Sequence, residues 1–199
     1  MLLHCNIVLP MYHVKYRSGS SPYMDDAETA LLVAACVRRT RPNILEIGTA
    51  RGRTTTTIAS VITPFGGKVT TVDILNNPVA GVDIPYGLFG TIKTIRVDPA
   101  NPDYRPLQVC KYDVIFIDGD HSYDAVLKDY NLAVSLLADG GIILFHDVWW
   151  DEKPMPCDGP LRFLDEQGGV VLNLTHIGCL SDSYERFHNH VHTGYKNEM

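Results

Sequence analysis

Five short runs of apolar and β-branched residues recur along the chain, and each closes on a glycine or an acid. They are 43–48 (NILEIG), 68–73 (KVTTVD), 92–98 (IKTIRVD), 112–118 (YDVIFID) and 141–147 (GIILFHD). Several are nearly continuous in β-branched and aromatic residues, the pattern of strands covered on both faces. Segments 54–62 and 123–137 between them read as helices. Another helix is expected over 25–39, with Asp25 or Asp26 as its cap, Ala30, Leu31, Val33, Ala34 and Val37 as its apolar face, and Pro42 beyond its end. Strand and helix alternate, so the expected class is α/β with a doubly wound, mostly parallel sheet. Two further β-like runs, 168–173 and 175–180, suggest an antiparallel hairpin on the sheet edge and bring the strands to seven. Residues 23–199 then form one domain, preceded by an arm over 1–22 that ends in a Ser/Gly/Pro cluster.

The 199 residues are 45% apolar and 20% charged, enough apolar side chain for a real core. The net charge of −6 supplies no basic footprint for a phosphate backbone, which argues against nucleic acid as a partner. No run reaches the ~18 apolar residues of a membrane span. The first ten residues are apolar but lack a basic opening and are broken by His4, Cys5 and Asn6, so they read as an arm rather than a secretory signal. The five cysteines are odd in number and have no C-x-x-C spacing, which points to free thiols and a cytoplasmic setting.

Open α/β sheets bind ligands beyond the carboxyl ends of their strands. The first strand runs into Glu46-Ile47-Gly48-Thr49-Ala50-Arg51-Gly52-Arg53-Thr54. Gly48 and Gly52 allow a sharp turn and close approach to a ligand, and Thr54 is placed to cap the next helix, whose free N–H groups face the same edge. The spacing is Gly-x-x-x-Gly, not the G-x-G-x-x-G of dinucleotide sites. Glu46 is an acid inside an apolar strand end, costly to bury unless hydrogen-bonded. Asp73 ends the second strand where an acid suits a ribose diol. A tight turn with no ligand and a loop-capping Asp are the plain alternatives.

The fourth strand ends in Asp118-Gly119-Asp120-His121 and the fifth in His146-Asp147-Val148-Trp149-Trp150. Parallel strands bring Asp118, His146 and Asp147 to one edge. Converging carboxylates repel unless a cation or proton neutralises them. Oxygen ligands favour Mg²⁺, Ca²⁺ or Mn²⁺, and a His keeps Zn²⁺ and Fe²⁺ in play. Against this stand two loop-capping acids and a satisfied core histidine.

LEIGTARG followed by TVD resembles the first two motifs of class I S-adenosylmethionine-dependent methyltransferases, which have a Rossmann-like fold. The resemblance implies that Glu46, Gly48, Thr49, Gly52 and Thr54 line the methionine end of the cofactor. It assigns Asp73 to the ribose, Asp98 to the adenine, and Asp118 to the cofactor's edge. FIDGDHSY with FHD resembles the cation-dependent O-methyltransferases, including the catechol, caffeoyl-CoA and macrocin-type enzymes. It implies a divalent cation, Mg²⁺ first, held by Asp118, His146 and Asp147, although His146 stands where those families carry an acid. His121 occupies the position of the catechol-type lysine and is the expected general base beside Asp118 in the catalytic centre. Orienting Asp118, or binding the ion, are its alternatives.

The function implied is methylation of a hydroxyl on a small molecule: a phenol, a sugar or a natural product. Trp149 and Trp150 could wall the acceptor pocket, and 154–160 reads as a loop over it. His188, His190 and His192 share a face if extended, as a second metal site or a solvated terminus. Many relatives pair through the N-terminal segment or sheet edge, so a homodimer is an expectation. The competing readings are an NAD-dependent oxidoreductase, a non-catalytic cofactor-binding homologue, and a metal-dependent hydrolase using the same acids.

Overall fold

Seven strands form one sheet in the order β3-β2-β1-β4-β5-β7-β6. They are β1 (Asn43–Ile47), β2 (Lys68–Asp73), β3 (Ile92–Arg96), β4 (Tyr112–Ile117), β5 (Leu137–Phe145), β6 (Gly169–Val171) and β7 (Gly178–Leu180). The computed structural model describes residues 24–74, 86–148, 158–172, 176–180 and 182. β1 to β5 are mutually parallel, and β7 runs antiparallel to both β5 and β6. The doubly wound sheet and its terminal hairpin are therefore as the sequence implies. The N-terminal arm, Trp149, Trp150 and the three alternating histidines lie outside the described residues.

Alternation along the buried strands sorts the core into two layers. One face carries Ile44, Val69, Val114, Phe116 and Leu144 against α1 (Asp26–Cys36) and α2 (Arg53–Ile62). The other carries Leu45, Ile47, Ile115 and Phe145 against α3 (Tyr123–Leu136) and α4 (Gly159–Gln167). Phe163 of α4 anchors the second layer, with ring centroids 4.9 Å from Tyr130 and 5.3 Å from Phe145. No helix among the described residues is long and apolar enough to cross a membrane.

Three local expectations change. α4 occupies part of the segment read as a loop over 154–160: Pro160 lies in its first turn and Gly168, at φ +70°, closes it. Proline at the start and glycine past the end are helix punctuation that the loop reading passed over. Thr54 does not cap α2. The helix starts one residue earlier, its N-cap is Gly52 at φ +70°, and no side chain caps it. β5 begins at Leu137, directly after α3, and its pairing with β4 shifts register between Tyr112 and Val114.

Gly48 marks the point where the end of β1 runs against the backbone that follows β4. Its φ is +99°, and an added Cβ would lie 2.0 Å from the carbonyl oxygen of Asp118. Gly168 has φ +70° but open space around it. Gly48→Ala should therefore cost more than about 3 kcal/mol, through steric overlap added to backbone strain. Gly168→Ala should cost only about 1 kcal/mol. Urea unfolding of the two variants checks this, and equal losses would contradict the close approach.

Candidate active site

The site lies one residue past a single row of the sheet. Val72, Ile47, Ile117 and Phe145 are register partners across β2, β1, β4 and β5. The residues that follow them are Asp73, Gly48, Asp118 and His146. The ladder continues through this next row: Gly48 N donates to Val72 O (2.9 Å), Asp118 N to Ile47 O (2.8 Å) and His146 N to Ile117 O (3.0 Å). Strand order reverses between β1 and β4, the switch point where open sheets leave a crevice.

The glycine turn is held from β2. Asp73 Oδ2 accepts from the Thr49 and Ala50 amides, at 2.9 and 2.8 Å, and Gly52 N donates to Thr49 O. Ala50 takes φ +43°, so the carboxylate stabilises a bend that its own sequence resists. Behind the turn Glu46 is fully buried. Its Oε2 accepts from the hydroxyls of Thr55 and Thr71, and the Thr49 and Thr71 hydroxyls lie 2.5 Å apart. Its Oε1 is buried with no hydrogen-bond partner in the described structure. The carboxyl is thus satisfied on one oxygen by threonines of α2 and β2. A shallow cleft lined by Met24, Thr29, Arg53, Thr54 and Thr57 opens between α1 and the uncapped start of α2. Asp98 lies further out: it is exposed and accepts from the Ala100 amide, capping its own turn.

Beyond β4 and β5, one ligand atom each from Asp118, His121 and Asp147 lie within 4.8 Å of one another. His121 Nε2 is 3.3 Å from Asp147 Oδ2 and 3.7 Å from Asp118 Oδ1. The start of α4 presses on this loop, since a Cβ on Gly159 would meet the His121 carbonyl oxygen at 2.2 Å. Asp147 sits at φ +53°, a strained conformation of the kind that functional sites retain.

His146 stands at the back of the cluster. It is buried, with Nδ1 3.2 Å from Asp118 Oδ1 and 3.4 Å from Asp147 Oδ1, and Nε2 3.6 Å from Glu28 Oε2. With carboxylates on both sides, each nitrogen is best protonated, and in that form the ring has no lone pair for a metal. Burial alone would lower its pKa, but the neighbouring carboxylates of Asp118, Asp147 and Glu28 outweigh it and raise it to about 12. For Asp118 burial acts upward, and the two histidines overcome it to hold the carboxyl below its usual range. The Asp118 hydrogen bond raises His121, against burial. Glu28 and His176, which also meet here, were not among the residues singled out from sequence. The Asp25-x-x-Glu28 capping pattern was visible, but nothing local shows that the glutamate is buried.

A family described as a methyltransferase domain matches residues 45–148, just over half of the chain. The chain belongs to this methyltransferase family. The match spans β1 to the end of β5, and so includes the glycine turn, Asp73 and the Asp118–His121–Asp147 cluster. Among solved structures, the chain resembles the O-methyltransferase TomG of Streptomyces achromogenes, solved with S-adenosylmethionine, at TM-score 0.58 and 17% identity over 79% of this chain and 81% of that one. An O-methyltransferase of Bacillus cereus, solved with S-adenosylhomocysteine, gives TM-score 0.56 and 21% identity over 77% and 79%. At these identities the likeness establishes a shared fold. Uncharacterized protein R132 of Acanthamoeba polyphaga mimivirus is 43% identical over 47 residues, so the match spans 22% of this chain and only 21% of the viral protein's length.

Glu46 gives this site a measurable pH signature. Burial raises its carboxyl to about 8 from 4.5, with the hydrogen bonds from Thr55 and Thr71 opposing and Asp118 and Asp73 adding to the rise. Between these values the unfolded chain releases the proton while the native state keeps it. The unfolded state then binds fewer protons, so this group's contribution falls as pH rises through the window. The free-energy difference between Glu46→Gln and the parent should move toward the variant by roughly 4 kcal/mol from pH 5 to pH 8. Denaturant unfolding of the ligand-free proteins measures it, and parallel pH curves would mean that Glu46 is ionised when folded.

Proposed function

We propose that this chain transfers a methyl group from S-adenosylmethionine to a hydroxyl of a small molecule, with a divalent cation beside the acceptor. The observation that carries the proposal is the position of the Asp118–His121–Asp147 cluster, one strand away from the glycine turn on the same sheet edge. Methyl transfer is an in-line displacement, and its main requirement is alignment of the nucleophile with the methyl group.

The chain's own groups fit the donor. The uncapped N-terminus of α2 supplies N–H groups suited to the methionine carboxylate. Glu46 Oε1, unpartnered among the described residues, lies behind the turn as an acceptor for the methionine amine. Asp73 holds the turn and borders the ribose position, with Gly48, Thr49, Gly52 and Thr54 around the methionine end. Asp98, two residues beyond β3, is assigned to the adenine side.

Two carboxylate oxygens and an imidazole nitrogen within 4.8 Å suit a divalent ion at bond lengths of about 2.0–2.2 Å after a small contraction. In this assignment His121, rather than His146, completes the donor set with Asp118 and Asp147. His146 backs the two acids from behind. When bound, the ion lowers the pKa of a coordinated hydroxyl and fixes its position. In its absence the Asp118 carboxylate shifts His121 toward its protonated form, against burial. Mg²⁺ and Mn²⁺ are the ions to test first, because the imidazole broadens the choice. The buried thiols of Cys36 and Cys179 and the exposed thiol of Cys110 accord with a cytoplasmic setting.

S-adenosylhomocysteine at 100 times its Kd should add about 2.7 kcal/mol of stability, seen as a raised melting temperature, and NAD should add none. The reverse result would favour the oxidoreductase. Asp118→Asn and Asp147→Asn should abolish stabilisation by Mg²⁺ or Mn²⁺ and lower kcat/KM by a factor on the order of 100, while leaving the Asp147 variant's affinity for S-adenosylhomocysteine nearly unchanged. Retained ion binding in both variants would remove the metal from the proposal.

A further inference from the structure

Glu28 is a buried acid that the chemistry above does not use. It is the third residue of α1 and closes a capping box: Glu28 N donates to Asp25 Oδ1 and Asp25 N donates to Glu28 Oε2, both at 2.8 Å. A capping box needs no burial, yet Glu28 is only 2% exposed. Removing a carboxylate from water costs several kcal/mol unless the surroundings replace the solvent. Here they do so from two other elements. Oε1 accepts from the His176 amide at 2.7 Å and lies 3.5 Å from His176 Nδ1, just before β7. Oε2 lies 3.6 Å from His146 Nε2, a buried nitrogen with no hydrogen-bond partner of its own. The opposite nitrogen of that ring faces Asp118 and Asp147. Acid and imidazole therefore alternate from α1 to the cluster: Glu28, His146, then Asp118 with Asp147, then His121.

We propose that Glu28 is a positioning residue, which fixes the rotation of the His146 ring so that Nδ1 spans Asp118 and Asp147 and sets the separation of their carboxylates. Three features support a role beyond capping. The carboxylate is buried where α1 faces the His146 ring, just past the end of β5. His146 follows the same pleat as Phe116 and Leu144, so its side chain leaves the sheet on the α1 face, and Phe116 packs against its ring with centroids 5.8 Å apart. The ring is thereby confined between an aromatic edge and three carboxylates. Among the described residues, Glu28 supplies the anion on the side away from the cluster. A ligand's partner fixed from behind in this way commonly changes metal affinity by 10–100-fold when removed. The part of the proposal that concerns metal affinity rests on the function proposed above. The ring orientation does not.

The test compares Glu28→Gln with Asp25→Ala. Asp25→Ala breaks the capping box, whereas Glu28→Gln keeps an amide oxygen able to accept from Asp25 N and removes only the charge behind His146. Crystals of the ion-free proteins should show the His146 ring turned and the Asp118–Asp147 separation changed in Glu28→Gln, with both retained in Asp25→Ala. Calorimetric titration with Mn²⁺ should show affinity falling about tenfold or more in Glu28→Gln and staying within about twofold in Asp25→Ala. In a His146→Gln background, adding Glu28→Gln should lower Mn²⁺ affinity no further, because the effect passes through that ring. If Glu28→Gln does not fold, Glu28→Asp keeps the charge, withdraws it from His146, and should show the same ring movement. An unmoved ring in the Glu28 variants, or equal Mn²⁺ losses in the Glu28 and Asp25 variants, would overturn the proposal. A parent protein that binds no Mn²⁺ would defeat the metal assignment, while a ring displaced only in the Glu28 variants would still uphold the positioning role.

Discussion

The parallel register across β2, β1, β4 and β5 is the constraint on which the site depends. One aligned row, Val72–Ile47–Ile117–Phe145, sets Asp73, Gly48, Asp118 and His146 side by side in the next. Backbone hydrogen bonds carry the ladder into that row, so these residues are placed by main chain rather than by loop packing. A slip of one residue in any strand would turn its side chain to the other face. Gly48 belongs to the same constraint, since only the absence of a side chain lets β1 end against the Asp118 carbonyl. Asp98 shows the contrast. The row meets β3 at Ile95, so Asp98 falls beyond it and caps its own turn in solvent.

Buried acids on the α1 and α2 face are handled in two ways. Glu46 is surrounded by threonine hydroxyls, which donate hydrogen bonds but carry no charge, and burial holds it protonated up to about pH 8. For Glu28 burial acts in the same direction, but His146 and the Asp25 and His176 amides reverse it and lower the carboxyl to about 2. One acid is neutral behind the glycine turn, and the other is an anion behind the acidic cluster. The difference lies in the partners, because both side chains are almost completely removed from solvent.

Much of this was visible in the residues. Five apolar runs closing on acids and glycines are a local pattern, and hydrophobic periodicity is set by which faces are buried. The acids ending β2 and β4 could be placed by counting along each run. The start of α4 was missed although Pro160 and Gly168 punctuate it, because its neighbours read as loop. The extra residue at the start of α2 was missed because Gly52 caps it without a side chain. Glu28 could be read as a cap but not as a neighbour of His146, from which it is separated by 118 positions in the chain.

What the sequence determined by itself is the class of fold, the glycine turn and the set of acids at one edge, because strand period and turn chemistry are local properties. How two histidines flank those acids, His146 from behind and His121 from the opposite side, was decided only by tertiary structure. Adjacent residues on a strand point to opposite faces until the backbone bends. Here Asp147 enters the left-handed region and turns toward the Asp118 loop, while His146 stays in the pleat and points at α1. His121, 25 positions earlier than His146, arrives beside both acids because α4 packs against the loop that carries it. That outcome depends on contacts between segments far apart in the chain, and no local pattern of residues encodes it.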